Sequence, residues 1–191
     1  KNRYGIKEFC GYIMTRRAQS FVNSQKDVEY TNLILDEDLY NQYKQEKLDI
    51  EYLKKMEAEY GIPNLWPYIA VDRTLMMNIP PKEYSISPTP PYTHEEMLRI
   101  LQVGFRSIID FLNKEKPDFI IFPILGSIRK TILYHIAQKM GIKTYLIDDG
   151  RIKKLVTFTE DYKTLTGTEE IFKKIREGGY KSPYFQEAKK I

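Results

Sequence analysis

The chain has 191 residues, 42% of them hydrophobic and 29% charged, with one Cys and two His. This composition is typical of a globular protein with one good core, and it excludes a disulfide framework, a structural zinc site and a membrane-spanning helix. The net charge is +4 and lies in residues 151–191, which contain ten Lys or Arg and six Asp or Glu. This basic excess suits an anionic membrane surface or a phosphorylated ligand, with a solvated helix face as the alternative. It does not indicate nucleic acid.

The first elements alternate between strand and helix. Residues 7–14 predict a strand, residues 15–25 a short helix with Thr15 as its N-cap, and residues 28–35 a second strand. Cys10 lies in an apolar segment, which indicates an inert buried thiol rather than a nucleophile. Because the opening KNRYG resembles the end of a helix, we expect a preceding strand upstream of this chain.

A helical insertion is predicted over about residues 36–93. The spacing of apolar residues predicts one helix over residues 36–60, capped by Asp36 and ended by Gly61. A short helix follows at residues 64–77. The segment after it carries five prolines between residues 79 and 93, so it predicts an irregular loop.

The only tryptophan, Trp66, lies in the stretch YGIPNLWPYIAVDR. Its spacing from Leu65 and Ile69 is that of a packed helix face, so we expect Trp66 to stabilise the fold rather than to stack on a sugar. Asp72 and Arg73 end the stretch. They predict a local ion pair, with Arg73 reaching a ligand cleft as the alternative.

The second half begins with the clearest helix, over residues 94–116, for which Thr93 and Glu96 form a capping box. The uninterrupted apolar run PDFIIFPIL, at residues 117–125, predicts a strand that is covered on both faces.

A helix capped by Ser127 is then predicted over residues 126–141, and another strand over residues 142–150; with the preceding strand these form a βαβ unit. The predicted fold class is therefore α/β, a Rossmann-like open, mostly parallel sheet with helices on both faces, over residues 1–155. Residues 156–191 predict a basic helical tail or linker.

Ligands of open α/β sheets bind at the carboxyl ends of strands, near helix N-termini. Three strand ends carry suitable side chains: Thr15, Arg16 and Arg17; Gly126, Ser127 and Arg129; and Asp148, Asp149 and Arg151.

At the second of these places, Gly126 permits close approach to helix amides, which favour an anion. The alternative is an ordinary Ser127 cap followed by solvated basic residues, Arg129 and Lys130. The motifs GxxxxGK[ST] and GxGxxG are absent from the sequence.

At the third place, carboxylates at a strand end can bind a metal or a ribose, or act as acid and base. Asp148 and Asp149 are adjacent on a strand and therefore point to opposite faces, so one of them is the candidate; the alternative is that one caps the residues that follow or pairs with Arg151.

The Arg16–Arg17 pair suits a phosphate or an acidic sugar, with surface pairing to acidic neighbours as the alternative. His94 begins a helix and is a weak candidate for an exposed general base. His135 lies in mid-helix and is expected to serve packing or to lie at the surface rather than to act in catalysis.

Three ordered segments carry a resemblance: EAEYGIPNLWPYIAVDRTLM, KPDFIIFPILGS and AQKMGIKTYLIDDGRI. Over about residues 40–175 the chain resembles the N-terminal half of bacterial and archaeal capsule or surface-polysaccharide biosynthesis proteins. Those proteins resemble GT-B glycosyltransferases, in which two Rossmann-like domains face each other across a cleft.

The resemblance implies a transferase that moves an activated sugar or a polyol phosphate to a growing surface glycan, in the cytoplasm at the inner face of the membrane. Its partners would be a glycan acceptor and a nucleotide-sugar donor, with the donor held mainly by a C-terminal domain that follows this chain. The chain would be the acceptor-side domain, inactive alone, with no cofactor and no metal. No residue is assigned as catalytic, because the glycine-bearing turn after the first strand would lie upstream.

Two alternatives stay open on the residues. One is a stand-alone nucleotide-binding, sugar-binding or epimerase-like α/β domain. The other is a non-catalytic interaction domain of a polysaccharide assembly complex.

Overall fold

The computed structural model describes residues 5–6, 8–77, 91–123, 125–149, 156–163, 167–178, 183 and 186, apart from the side chains of residues 74 and 77. The chain divides into two compact units. Unit 1 comprises Lys1–Pro117 and Gly126–Met140, and unit 2 comprises Asp118–Leu125 and Gly141–Ile191. Most of the predicted proline-rich loop lies outside the described residues.

Unit 1 begins with a pair of strands that the sequence predicts. Strands β1 (Phe9–Ile13) and β2 (Tyr30–Leu35) pair in parallel, and helix α1 (Arg16–Asn23) lies between them in the chain. Thr15 caps α1, because its hydroxyl oxygen accepts a hydrogen bond from the amide of Ala18 at 3.3 Å. The strand, helix and cap predictions for this segment are confirmed.

Residues 36–60 do not form the single helix that their spacing predicts. Two 3-10 turns and two helices replace it: Asp36–Asp38, α2 (Leu39–Gln42), Tyr43–Gln45 and α3 (Ile50–Tyr60). Asp36 lies in a 3-10 turn, and the cap of α3 is Asp49, whose carboxylate accepts a hydrogen bond from the amide of Tyr52. Helix α3 ends, as predicted, at Gly61, where φ is 65°.

The interruption has a tertiary cause in the buried side chain of Gln102, which belongs to the long helix of unit 1. Its amide oxygen accepts a hydrogen bond from the amide of Asp49 at 2.8 Å, and its amide nitrogen donates to the carbonyl of Lys47 at 3.0 Å. The same nitrogen donates to the carboxylate of Glu46 at 3.0 Å. These bonds hold residues 46–49 outside any helix, with Glu46 and Asp49 in extended conformation, so one helix cannot run through them.

Two short helices, α4 (Trp66–Ala70) and α5 (Arg73–Met77), occupy the segment for which one helix is predicted. The break falls at Asp72. One carboxylate oxygen of Asp72 accepts a hydrogen bond from the amide of Leu75 at 3.3 Å, and this bond favours a new helix start at α5.

Trp66 is not part of the packed face of α4. Its side chain is 53% exposed, whereas Leu65, Tyr68 and Ile69 are buried. Leu65, Tyr68 and Ile69 are three and four positions apart and form the buried face; at about 100° per residue, Trp66 lies roughly 110° from the centre of that face and therefore on the solvent side. The prediction that Trp66 stabilises the fold by packing is therefore wrong, while the burial of Leu65 and Ile69 is confirmed.

Helices α6 (His94–Glu115) and α7 (Ile128–Lys139) form the centre of unit 1. Helix α6 begins at the predicted capping box of Thr93 and Glu96. At Gly104 of α6, an added Cβ would lie 3.0 Å from a methyl carbon of α7, so glycine permits the close approach of the two helices. Each helix buries an apolar face, which includes Ile100, Leu101, Phe105, Ile108, Ile128, Ile132 and Ile136.

Unit 2 contains a three-stranded mixed sheet in the order β3-β4-β5. Strands β3 (Phe119–Phe122) and β4 (Lys143–Asp149) pair in parallel, as predicted. Strand β5 (Val156–Thr159) pairs antiparallel with β4 and was not predicted. Helix α8 (Thr168–Arg176) follows.

The expectation that β3 is covered on both faces is wrong. Phe119 and Ile121 are 39% and 50% exposed, whereas Phe122 on the other face is buried. The registers place Phe119 and Ile121 on one face with residues of both neighbouring strands, among them Tyr145, Val156 and Phe158. We call this surface the exposed sheet face; it consists of Phe119, Ile121, Tyr145, Val156 and Phe158.

The fold is α/β, with one parallel pair of strands, one mixed three-stranded sheet and helices, within the residues that the structure describes. In the same residues, no helix has both the length and the apolar character that crossing a bilayer requires.

Candidate functional site

Unit 1 contains a buried polar cluster at the carboxyl ends of β1 and β2, beside the start of α7. We define this cluster by seven residues: Tyr12, Asp36, Tyr40, Asp72, Ser127, Arg129 and Lys130.

Asp72 connects three segments of the cluster. One of its carboxylate oxygens accepts hydrogen bonds from the hydroxyl of Tyr40 at 2.8 Å and from the amide of Ile128 at 3.0 Å. The other oxygen accepts the amide of Leu75. Asp72 is 2% exposed, so an internal carboxylate already compensates the partial positive charge at the start of α7.

Arg129 joins α7 to the end of β2. Its guanidinium donates to the carbonyl oxygen of Leu35 at 2.6 Å and to the side-chain oxygen of Gln42 at 3.2 Å. Burial lowers the pKa of Arg129, and the nearby carboxylate of Asp36 opposes this effect. With 2% of its surface exposed, Arg129 is fixed to the backbone of its own unit.

The remaining members of the cluster are also withdrawn from water. Burial raises the pKa of Asp36 and of Tyr12. Burial lowers the pKa of Lys130, and the nearby carboxylate of Asp36 partly opposes this decrease. The ammonium of Lys130 lies 5.9 Å from the ring centroid of Tyr12, and the Tyr12 hydroxyl is 3.2 Å from the hydroxyl oxygen of Ser127. Two acidic and two basic side chains therefore share one buried region, in which the carboxylate of Asp36 partly offsets the effect of burial on the pKa of both Arg129 and Lys130.

The structure gives different surroundings to the three residues of the predicted anion site: Gly126, Ser127 and Arg129. Gly126 is exposed, and an added Cβ there would meet no atom within 4 Å. Ser127 occupies the N-cap position of α7, but its side chain makes no capping bond and lies next to Tyr12 instead. The alternative of solvated basic residues is wrong, because Arg129 and Lys130 are both buried.

At the first predicted place, Thr15 caps α1 while Arg16 and Arg17 are exposed. The guanidinium of Arg16 lies 2.5 Å from the carboxylate of Asp38, and its amide donates to Glu37 at 3.1 Å. Arg16 therefore pairs with acidic neighbours, which is the alternative given in the sequence analysis.

The two histidines and the cysteine differ in their surroundings. His94 is exposed at the first position of α6. His135 lies 2.8 Å from the hydroxyl of Tyr68 through its Nδ1, which agrees with a packing role. The thiol of Cys10 is half-buried and donates to the carboxylate of Glu115 at 3.3 Å; burial raises its pKa, so an inert thiol is supported.

Unit 2 contains a cleft of about 270 Å³ at the carboxyl ends of β3 and β4. Pro123 and Leu125 follow β3 and line one part of it, and Leu146 adds an apolar wall. Its polar lining comes from β4, β5 and the residues after β5: Asp148, Thr157, Thr159, Asp161, Tyr162 and Lys163.

The sheet register explains why these side chains converge. Asp148 pairs with Thr157, and the Thr157 hydroxyl donates to the carbonyl oxygen of Asp148 at 3.2 Å. After β5 the chain turns at Asp161, whose carboxylate accepts the amide of Lys163 at 2.8 Å and whose carbonyl accepts the Thr159 hydroxyl at 3.1 Å. The result is a site with carboxylates, hydroxyls and an aromatic ring.

Of the two described residues predicted at the end of β4, Asp148 lines the cleft and Asp149 does not. Asp149 pairs with Val156 and lies on the opposite sheet face, as the alternation of strand side chains predicts. Arg151 lies outside the described residues.

Sequence reasoning missed the cleft residues on β5 and after it. The signal was present in the alternation of Val156, Thr157, Phe158 and Thr159, which is the pattern of a half-buried strand. The partners of Asp72 carried no local signal, because Tyr40 and Ile128 are far from it in the chain.

In the described part of the chain, His, Cys, Asp and Glu side chains nowhere form a group of three that could hold a metal ion. No protein-family model matches the chain, and neither a curated protein nor a solved structure is significantly similar to it.

Proposed function

We propose that the cleft of unit 2 binds a glycan acceptor, and that the chain is the acceptor-side domain of a GT-B-like glycosyltransferase in surface-polysaccharide biosynthesis. In this proposal the strands belong to a Rossmann-like open sheet, and the nucleotide-sugar donor binds mainly to a second domain of the full protein.

The observation that carries the proposal is the chemistry of the cleft. Carboxylates such as Asp148 and Asp161 accept hydrogen bonds from sugar hydroxyls, the hydroxyl oxygen of Thr157 accepts as well, and the ring of Tyr162 offers a face for a pyranose. Position supports it as well, because ligands of α/β sheets bind outside the carboxyl ends of parallel strands. A volume of about 270 Å³ suits a small polar ligand such as one sugar residue.

The test is a titration of the chain, labelled with nitrogen-15, with neutral and acidic mono- and disaccharides, followed by NMR. We expect the amide signals of Asp148, Thr157 and Asp161 to shift with a common dissociation constant. Asp148→Asn and Thr157→Val each remove one hydrogen-bonding group and should weaken binding about tenfold. Asp149→Asn is the matched control, because Asp149 lies on the other face of the same strand, and it should leave affinity unchanged.

A second titration with UDP-sugars and CDP-sugars separates the alternatives. Tight binding of a nucleotide sugar would contradict the acceptor-side role and favour a stand-alone nucleotide-sugar domain. Absence of saccharide shifts in the cleft, or equal losses in the Asp148 and Asp149 variants, would overturn the glycan site itself.

A further inference from the structure

Helix α8 of unit 2 presents an apolar face that no described residue covers. All nine of its residues are exposed. Its three large apolar side chains, Ile171, Phe172 and Ile175, are 50%, 67% and 41% exposed. Water-exposed apolar groups that are contiguous mark interaction surfaces.

The apolar and charged residues of α8 occupy separate faces. At about 100° per residue, Ile171, Phe172 and Ile175 fall within an arc of roughly 100°. Lys174 is the nearest charged residue beyond one edge of this arc and Arg176 beyond the other; Glu169 lies next to Arg176, while Glu170 and Glu177 lie on the opposite side of the helix. Cations thus border the apolar face on both sides.

We propose that α8 docks on an anionic lipid surface. The apolar side chains enter the boundary between headgroups and acyl chains, and Lys174 and Arg176 extend to lipid phosphates, as long basic side chains at such interfaces do. This inference is independent of the proposed glycan site, because it uses no residue of the cleft.

The charge of the opposing surface distinguishes an anionic bilayer from the exposed sheet face of unit 2 as the surface on which α8 docks. The exposed sheet face is also apolar, but the charged residues on its side of the sheet are Lys143 and Asp149, which cancel. A neutral face gives Lys174 and Arg176 no partner, whereas an anionic bilayer attracts them. The whole segment 151–191 adds to this attraction through its ten basic and six acidic residues.

The binding is expected to be reversible and sensitive to salt. Three apolar side chains and a few cations are a small anchor compared with a membrane-spanning helix. Salt screens the attraction between the basic side chains and the lipid phosphates, so affinity should fall steeply between low and high ionic strength.

The experiment is cosedimentation of the full 191-residue chain with vesicles of phosphatidylglycerol or of phosphatidylcholine. We expect binding to the anionic vesicles at low salt and little binding to the zwitterionic ones. The double variant Phe172→Ser, Ile175→Ser should lower the partition coefficient at least about tenfold, and Lys174→Gln and Arg176→Gln about fivefold each.

Phe158→Ser on the exposed sheet face is the matched control, and its partition coefficient should equal that of the unchanged chain. Since all the substituted side chains are exposed, thermal melts should also be unchanged, which separates lost docking from lost folding. Hydrogen exchange with vesicles should protect residues 168–176.

Three results would overturn the proposal: no binding to phosphatidylglycerol, binding that survives the Phe172, Ile175 double variant, or binding that Phe158→Ser lowers equally. A dimer that forms without lipid and is lost in the double variant would assign α8 to a second copy of the chain instead.

Discussion

Single buried polar residues carry much of the specificity of unit 1. The carboxylate of Asp72 compensates the partial positive charge at the start of α7, and it also accepts a hydrogen bond from an amide in the first turn of α5. Burial and the Asp72 carboxylate raise the pKa of Tyr40, so its hydroxyl remains a donor at neutral pH. Replacing a carboxylate that satisfies several buried donors leaves each donor without a partner.

We therefore predict that Asp72→Ala lowers the free energy of unfolding by about 3 kcal/mol, because buried donors lose a charged acceptor. Urea denaturation of both proteins measures this difference. Arg73→Ala is the matched control; Arg73 is exposed, and its loss should cost less than about 0.5 kcal/mol. Equal losses in the two variants would instead favour the local Asp72–Arg73 ion pair that the sequence predicts.

At the scale of elements, a neighbour sets the length of a helix. Residues 36–60 have helical spacing throughout, yet residues 46–49 lie outside any helix because Gln102 binds their backbone. Propensity is a weak preference of less than about 1 kcal/mol per residue, and several buried hydrogen bonds outweigh it.

Gln102→Leu should destabilise the fold by about 3 kcal/mol, since the amide of Asp49 and the carbonyl of Lys47 lose a buried partner. Thermal and urea unfolding provide the measurement. Asn113→Leu places the same new side chain at an exposed position of α6, and we expect a change within about 0.5 kcal/mol. A cost for Gln102→Leu no larger than that of the control would show that the interruption does not depend on Gln102.

For the whole molecule, buried apolar side chains are distributed unevenly. Helices α6 and α7 contain most of the fully buried residues of the core, whereas α8 has none. Local opening costs little free energy where few apolar contacts are lost, so protection from exchange should follow this distribution.

Amides within residues 100–112 should exchange with solvent on the order of a thousandfold more slowly than amides within residues 168–176. Hydrogen exchange followed by mass spectrometry of the free chain measures both segments in one experiment. Comparable protection of the two segments without lipid would mean that α8 is covered in solution, contrary to its exposure here.

Elements that carry their own start and stop signals could be predicted from the amino-acid sequence. The Thr15 cap, the Thr93–Glu96 capping box and the helix end at Gly61 all depend on groups within about four residues of each other, so local reading finds them. Apolar runs likewise located β3 and β4 and their parallel pairing. Asp148, which lines the cleft of unit 2, is also one of the candidates that the sequence indicates, because ligands of α/β folds bind at strand ends.

The burial of polar residues and their hydrogen-bond partners could not be predicted in this way. Asp72 and Ile128 are 56 positions apart, and Arg129 and Leu35 are 94 apart, so no local sequence pattern predicts either hydrogen bond. The exposed side of Trp66 was decided in the same way, by the position of its helix against the rest of unit 1. The physical reason is that caps and turns are satisfied within one turn of chain, whereas burial depends on contacts between distant segments.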